Sequence, residues 1–119
     1  MHNKQYVGVR GEDVACGYLR ENGFQILERN YKTKYVEIDI VASKDDELVF
    51  VEVRTKIGDD FGSPEETIKK DKTRRLKRGA LGYAQRKKYK GQYRIDSICV
   101  VLNNKGGVER IAHYEDISQ

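Results

Sequence analysis

The chain has 119 residues, of which 38% are hydrophobic and 35% charged, and its formal net charge is +4. A chain of this length holds one hydrophobic core, so we predict a single domain over residues 1–119. Its longest apolar run, Ile98 to Leu102, is too short to cross a bilayer, and its two cysteines lack zinc-ligand spacing. A membrane-spanning segment and a zinc site are therefore excluded, and we predict a cytoplasmic protein with no membrane partner.

The first predicted element is a helix over residues 9–22. Apolar residues there recur at helical spacing, and Gly23 supplies the stop. Glu12 lies three residues before Ala15 and seven before Leu19. We therefore place Glu12 along the margin of the buried stripe and not on the fully solvated side.

Three predicted strands follow, over residues 24–29, 35–42 and 48–54. The polar cluster at residues 44–47 separates the last two by a tight connection, which predicts antiparallel neighbours. On both of these strands apolar residues alternate with charged ones: Val36, Ile38 and Ile40 with Glu37 and Asp39, and Val49, Val51 and Val53 with Glu52 and Arg54.

This alternation brings two carboxylates together if both apolar faces join one core. Asp39 and Glu52 then emerge on the same side of the sheet. Close carboxylates repel unless a cation lies between them, and Mg²⁺ accepts one or two carboxylates together with waters and a substrate phosphate. Alternation alone favours a plainer interpretation, a half-solvated sheet in which Glu52 pairs with Arg54 or Lys56.

A second helix is predicted to start at Ser63, Pro64 and Glu66 and to run to about residue 88, before Gly91. Residues 68–90 contain 11 Lys or Arg and one acid, a charge of +10, while the rest of the chain carries −6. A localised basic field attracts polyanions, so the segment indicates nucleic acid, with an anionic membrane as the weaker option and a solvated helix face as the ordinary alternative.

Lys72 is the unusual member of that segment. It lies four residues after Ile68 and four before Leu76, on the stripe that should face the sheet. We expect it to meet an anion there and hypothesise that it holds a phosphate. The remaining basic residues, interleaved with Tyr83, Tyr89 and Tyr93, are typical of a surface that follows a nucleic-acid backbone without reading bases.

Two further strands are predicted over residues 94–102 and 108–114. A strand, a long helix and another strand form a crossover, which places the fourth strand parallel to the third or near it. The chain is thus predicted to be α/β, with a mixed central sheet of about five strands flanked by an N-terminal helix and a long basic helix.

In order and spacing, the chain resembles the YraN-like family (UPF0102 type) of uncharacterised bacterial proteins in five segments, GEDVACGYLRENGFQILERN, VEIDIVA, FVEVRTK, KDKTRRL and RIDSICV. That family looks like a member of the PD-(D/E)xK nucleases and is similar to the archaeal Holliday junction resolvases. The resemblance implies a restriction-endonuclease-like core, an Mg²⁺ or Mn²⁺ cofactor and DNA as the partner. It also suggests that the chain forms a homodimer, since junction resolvases work as dimers.

The resemblance also implies roles for single residues. Asp39 and Glu52 match the metal-binding acids, and Glu12 matches a supporting ligand or base. Arg54 stands where the superfamily has lysine, and a guanidinium stays charged, so it can hold a phosphate but cannot act as a neutral base. The other matched positions are Glu37 as a supporting acid, Val36 in place of a glycine, Lys72 with Arg75, and Arg94 with Asp96. For Asp96 we favour an ion pair with Arg94 over a site role.

Three functions remain open from the sequence. The first is a metal-dependent endonuclease acting on DNA phosphodiesters, including branched DNA. The second is a non-catalytic nucleic-acid-binding module on a degenerate nuclease scaffold, which Arg54 favours. The third is an interaction protein whose basic helix binds an acidic partner. For the first two, the predicted nucleic-acid contacts are Lys72, Arg75, Arg74, Arg78 and Lys56.

Overall fold

The computed structural model describes residues 4–58 and 69–118, within which lie two helices and five strands. In chain order these are α1 (Lys4–Glu21), β1 (Gln25–Lys32), β2 (Glu37–Lys44), β3 (Glu47–Ile57), α2 (Lys70–Arg86), β4 (Tyr93–Leu102) and β5 (Val108–Tyr114). The predicted α/β class with a mixed five-stranded sheet is confirmed. The predicted helix start at Ser63 to Glu66, together with Ile68, lies outside the described residues.

The strands follow one another across the sheet in chain order, β1-β2-β3-β4-β5. β3 and β4 are parallel, with α2 between them in sequence, and the other neighbours are antiparallel. Asp45 and Asp46, with φ of 50° and 64°, form the two-residue turn between β2 and β3. Positive φ at both positions matches the twist of a hairpin, which confirms the predicted tight connection.

One helix covers each face of the sheet. Ala15 and Leu19 of α1 pack with Val49 and Val51 of β3 in one cluster of buried residues. On the other face the cluster joins α2 to β3 and β4 through Leu76, Ala80, Tyr83, Phe50 and Ile95. Because successive strand side chains point to opposite faces, β3 buries apolar residues on both sides. Neither helix within the described ranges has an apolar stretch of the length that a membrane crossing needs.

β2 departs from the predicted alternation. Val36 and Ile38 pack in the α2 cluster, whereas Ile40 packs in the α1 cluster. The prediction that these three residues share one face was wrong. The regular pairing of β2 with β3 extends only as far as Ile40 opposite Val51, so the two-residue repeat is interrupted at the position between Ile38 and Ile40, which is Asp39.

α2 is continuous through Gly79 and Gly82, the glycines expected to weaken it. It ends at Arg86, earlier than the predicted residue 88, and Lys88 adopts a left-handed conformation with φ of 56°. Gly91 lies beyond this end. The chain turns away from the helix axis at Lys88, although positive φ is uncommon for lysine. The sequence therefore has no glycine at the position where α2 ends.

Candidate metal and phosphate site

Asp39 lies where the pairing between β2 and β3 ends. Its Oδ2 accepts a hydrogen bond of 2.8 Å from the backbone N–H of Val53 on β3. The carboxylate thus satisfies a backbone donor next to the last paired residues, Ile40 and Val51. This contact turns the side chain toward β3 and toward Glu52, the residue before Val53.

Glu52 is the second carboxylate and is almost fully buried, with 5% of its surface exposed. Its Oε2 forms an ion pair with Nζ of Lys72 on α2. Its Oε1 is buried and has no hydrogen-bond partner among the described residues. Buried carboxylate oxygens are normally satisfied, since leaving one unmet costs free energy, so this atom has capacity for a ligand.

The two carboxylates are close enough to change each other's protonation. The pKa of Asp39 is raised to about 8, chiefly by burial, and the charge of Glu52 raises it as well. The Val53 N–H opposes this rise, whereas a side-chain hydrogen bond with Glu52 and the charge of Glu12 contribute to it. Two neighbouring acids, one buried and one half-buried, that repel each other in this way are stabilised by a cation, which is the chemistry expected of a divalent metal site.

Glu12 approaches the pair from α1 but is held by other groups. Its Oε1 accepts a hydrogen bond of 2.9 Å from Nδ2 of Asn30 and lies 3.8 Å from Nη2 of Arg29. The preceding Gly11 allows the close approach of α1 to β3, because a Cβ there would collide with the side chain of Thr55. Glu12 lies on the margin of the buried stripe, less exposed than Asp13.

Asp39 and Glu52 are therefore the two carboxylates that the structure offers as ligands for a metal ion. Across residues 4–58 and 69–118, no three His, Cys, Asp or Glu side chains are grouped so as to hold a metal ion. Asp39 and Glu52 fit Mg²⁺ or Mn²⁺ as a pair, since Mg²⁺ keeps several waters and takes substrate phosphate oxygens as further ligands. The unmet Oε1 of Glu52 is the observation that supports this fit.

Lys72 meets an anion between helix and sheet, as its place on the stripe indicated, and that anion is Glu52. The lysine side chain is 39% exposed, so its ammonium lies between the buried carboxylate and solvent. A cation in that position can also contact a phosphate that reaches the site from outside. Sequence periodicity found this residue because a charged side chain on an apolar stripe needs a partner.

The other predicted site residues lie on β2, β3 and α2. Arg54 and Lys56 follow Glu52 at two-residue steps on β3, on the same face by alternation, and both are half-buried. Glu37 is exposed at the start of β2, opposite Lys32. The remaining three are exposed on α2: Arg74 and Arg75, both paired with Asp71, and Arg78, which lies over the ring of Tyr35.

The tyrosines of the basic segment do not form the stacking surface predicted for them. Tyr83 is buried in the α2 cluster, and the hydroxyl of Tyr89 donates to the backbone oxygens of Asp46 and Gln92. Tyr93 alone of the three is exposed, at 39%. The cationic side chains of α2 instead contact two tyrosines that sequence reasoning missed, Tyr31 and Tyr35 near the β1–β2 turn.

Arg94 and Asp96 form the ion pair that the sequence favoured, with Nε of Arg94 2.9 Å from Oδ1 of Asp96. Asp96 also lies 2.7 Å from Nε2 of His113 and accepts a bond of 2.9 Å from the backbone N–H of Asp116. Burial alone would raise the pKa of Asp96, but these donors together lower it. His113 in turn contacts the hydroxyl of Tyr18 at 3.0 Å, so this is a satisfied structural network.

Comparison with known proteins gives a consistent picture over most of the chain. The sequence model of the uncharacterised protein family UPF0102 matches residues 11–100. A UPF0102 protein of Dictyoglomus turgidum is 42% identical over 109 residues, which are 91% of this chain and 92% of that protein. One of Syntrophomonas wolfei is 49% identical over 65% and 67% of the two chains, and one of Rhodococcus opacus is 34% identical over 92% and 93%.

Proposed function

The chain belongs to the uncharacterised protein family UPF0102, the YraN-like type, and from that premise we propose that it binds nucleic acid and hydrolyses DNA phosphodiesters at a metal-dependent, endonuclease-like site. The single observation that carries this proposal is the buried carboxylate of Glu52, which has one oxygen on Lys72 and one with no partner in the described structure. A divalent ion would satisfy that oxygen and relieve the repulsion from Asp39.

Asp39 and Glu52 would hold Mg²⁺ or Mn²⁺. When bound, such an ion lowers the pKa of a coordinated water and neutralises charge that develops on a phosphate. The backbone N–H of Val53 orients the Asp39 carboxylate through its 2.8 Å bond. Glu12, fixed by Asn30 and Arg29, would support the pair from α1 without being drawn into direct contact with the ion.

The cations beside the carboxylates would hold the phosphate. Lys72 presents a partly exposed ammonium at the edge of the site, and Arg54 lies on the same face of β3 as Glu52. Since the guanidinium stays protonated, Arg54 would orient a phosphate oxygen and would not accept a proton. The surplus of positive charge along α2 would raise the local concentration of the polyanion.

The test is cleavage of junction, flap and single-stranded DNA with Mg²⁺ or Mn²⁺. We expect Asp39→Asn and Glu52→Gln each to lower the rate by about a hundredfold or more, because each removes a metal ligand worth several kcal/mol in the transition state. Glu109→Gln removes an exposed acid on β5 and is the charge-matched control. Equal rates in all four proteins would assign the cleavage to a contaminating nuclease and contradict the proposal.

A second candidate is a non-catalytic nucleic-acid-binding module. It is favoured by Arg54 at the position where a lysine is expected, and by the Lys72 ammonium that already neutralises one oxygen of Glu52. This candidate predicts DNA binding that falls steeply with salt, needs no divalent ion and is unchanged in Glu52→Gln. Binding that strengthens with Mn²⁺ only when Glu52 is present would exclude it.

A further inference from the structure

A second basic feature lies on the α2 side of the sheet, away from the two carboxylates. The turn between β1 and β2 and the flank of α2 enclose a cleft of about 540 Å³. Four of the residues that line it are cationic, Lys32, Lys34, Arg78 and Arg86, and none of the lining residues in the described structure is acidic. The volume is in the range of ligand-binding pockets, so the cleft can admit more than an ion.

Three of the four cations of this cleft contact aromatic rings. Nζ of Lys34 lies 5.3 Å from the ring centre of Tyr35, and the guanidinium of Arg78 lies 5.6 Å from the same centre. Arg86 lies over Tyr31 and donates to its hydroxyl. Within the described residues Lys34, Arg78 and Arg86 form no salt bridge, whereas Arg74 and Arg75 on the same helix pair with Asp71. Charges gathered in this way repel each other until an anion enters.

Two glycines of α2 shape the cleft. A Cβ on Gly79 would lie 3.3 Å from the side chains of Thr33, Val36 and Ile38, so this glycine lets the helix pack closely on the β1–β2 turn. A Cβ on Gly82 would meet no atom of the described structure within 4 Å. Gly82 therefore leaves the floor of the cleft open, and a longer side chain there would fill it.

The cleft and the carboxylate site both lie beside α2. Lys72, Arg75, Arg78 and Arg86 recur at steps of three to four residues or multiples of them, which places them along one flank of the helix. Lys72 and Gly79 are seven residues apart, or about 10 Å along the axis at 1.5 Å per residue.

We propose that this cleft binds an unpaired strand of nucleic acid, about 10 Å along α2 from Lys72 at the carboxylate site. A base lies against Tyr35, which is 37% exposed, and phosphates contact Lys34, Arg78 and Arg86. A concave cleft with an aromatic wall suits a single strand, because the bases of a duplex are stacked on each other and cannot reach the ring. The inference rests on the proposed nucleic-acid function and adds the substrate class, DNA with a single-stranded segment next to the cleaved bond.

The experiment is fluorescence anisotropy in EDTA, with one labelled oligonucleotide used single-stranded and as a duplex. We expect Tyr35→Leu to weaken single-strand binding by about 5-fold to 100-fold, the range for loss of one base stack, and to leave duplex binding within about 2-fold. Gly82→Leu fills the cleft and should act in the same way. Gly17→Leu is its control, since a Cβ on Gly17 of α1 also meets no described atom within 4 Å.

Two double variants that remove the same charge, one inside the cleft and one outside it, test the cations of the cleft. Lys34→Gln with Arg78→Gln should reduce the slope of log affinity against log salt by about 1.4 on the single strand, at about 0.7 for each phosphate that the variant no longer neutralises. Arg20→Gln with Lys105→Gln removes the same charge from exposed positions outside the cleft and outside the basic segment and should change the slope far less. Unchanged thermal unfolding confirms that each variant is folded.

Three outcomes would overturn the inference. If Tyr35→Leu, Gly82→Leu and the cleft charge pair bind the single strand like their controls, the cleft is not the strand site, and the metal-dependent cleavage assay still stands or fails separately. If single-strand and duplex affinities fall together, the cleft contacts polyanions in general and not an unpaired strand. If the wild-type protein binds neither oligonucleotide, the nucleic-acid function is itself contradicted.

Discussion

Glu52 and Asp96 are both buried acids on neighbouring parallel strands, with 5% and 0% of their surfaces exposed. Asp96 is surrounded by donors: the guanidinium of Arg94, the ring of His113 and the backbone N–H of Asp116. Glu52 has Lys72, a second carboxylate nearby and one oxygen without a partner in the described structure. Burial alone does not identify a site residue, whereas burial with unmet acceptor capacity does.

The two regions also differ in the direction in which folding shifts the pKa of their aspartates. Donors lower the pKa of Asp96 despite its burial, so the folded protein favours its ionised form. Burial and a neighbouring acid raise the pKa of Asp39 to about 8, so folding disfavours a second charge beside Glu52. The donors around Asp96 therefore stabilise its ionised carboxylate without a ligand. The ionised carboxylate of Asp39 would need a bound cation to be stabilised to the same degree.

The largest effect on stability is expected on the Asp96 side. Asp96→Asn should lower the free energy of unfolding by about 3–5 kcal/mol, because Arg94 and His113 lose a buried acceptor. Glu52→Gln should change it by less than about 1 kcal/mol, since the variant also removes the repulsion on Asp39 and Lys72 remains open to solvent. Urea unfolding of the two variants measures both. A loss of several kcal/mol in Glu52→Gln would mean that Glu52 is a structural acid like Asp96.

The pH dependence of stability in the absence of metal is expected to have opposite signs in the two regions. Asp39 has a folded pKa of about 8 against an unfolded value of 3.8. The folded state thus binds more protons between about pH 4 and pH 8, and stability should fall as pH rises through that window, by at most about 1.4 kcal/mol per unit. Asp39→Asn should remove this slope.

For Asp96 the sign is reversed. Its folded pKa is lowered, so its contribution is fully present above the unfolded value and is lost as pH falls through the folded value. Urea midpoints across this acidic range and across pH 4–8 separate the two regions. A metal-free wild-type protein with the same pH dependence as Asp39→Asn would contradict the interpretation of Asp39.

Much of this contrast could be predicted from the sequence where short-range rules apply. The two-residue repeat on β3 identified the faces of Val49, Val51 and Glu52, and helical spacing placed Lys72 against the sheet. Four charged residues between two apolar runs predicted the hairpin joining β2 and β3. In each case a pattern of a few residues determines which side is buried, so no distant partner has to be known.

The sequence was uninformative where a distant group decides the outcome. The bond from Val53 to Asp39 spans 14 positions and interrupts the β2 repeat, which reversed the predicted face of Ile38. Asp96 is satisfied by His113, 17 positions away. The cleft likewise depends on α2 packing against the β1–β2 turn, so Tyr35 could not be recognised in advance, and Tyr83 was wrongly assigned to the surface.

The central claim is that Asp39 and Glu52 jointly hold a divalent ion. Titration with Mn²⁺, following the free ion by electron paramagnetic resonance, tests it without any nucleic acid. We predict saturable binding to the wild-type protein and to Glu109→Gln, weakened about tenfold or more in both Asp39→Asn and Glu52→Gln, because each variant removes one of the two protein ligands. Equal Mn²⁺ binding by all four proteins, or no saturable binding by the wild type, would contradict the claim.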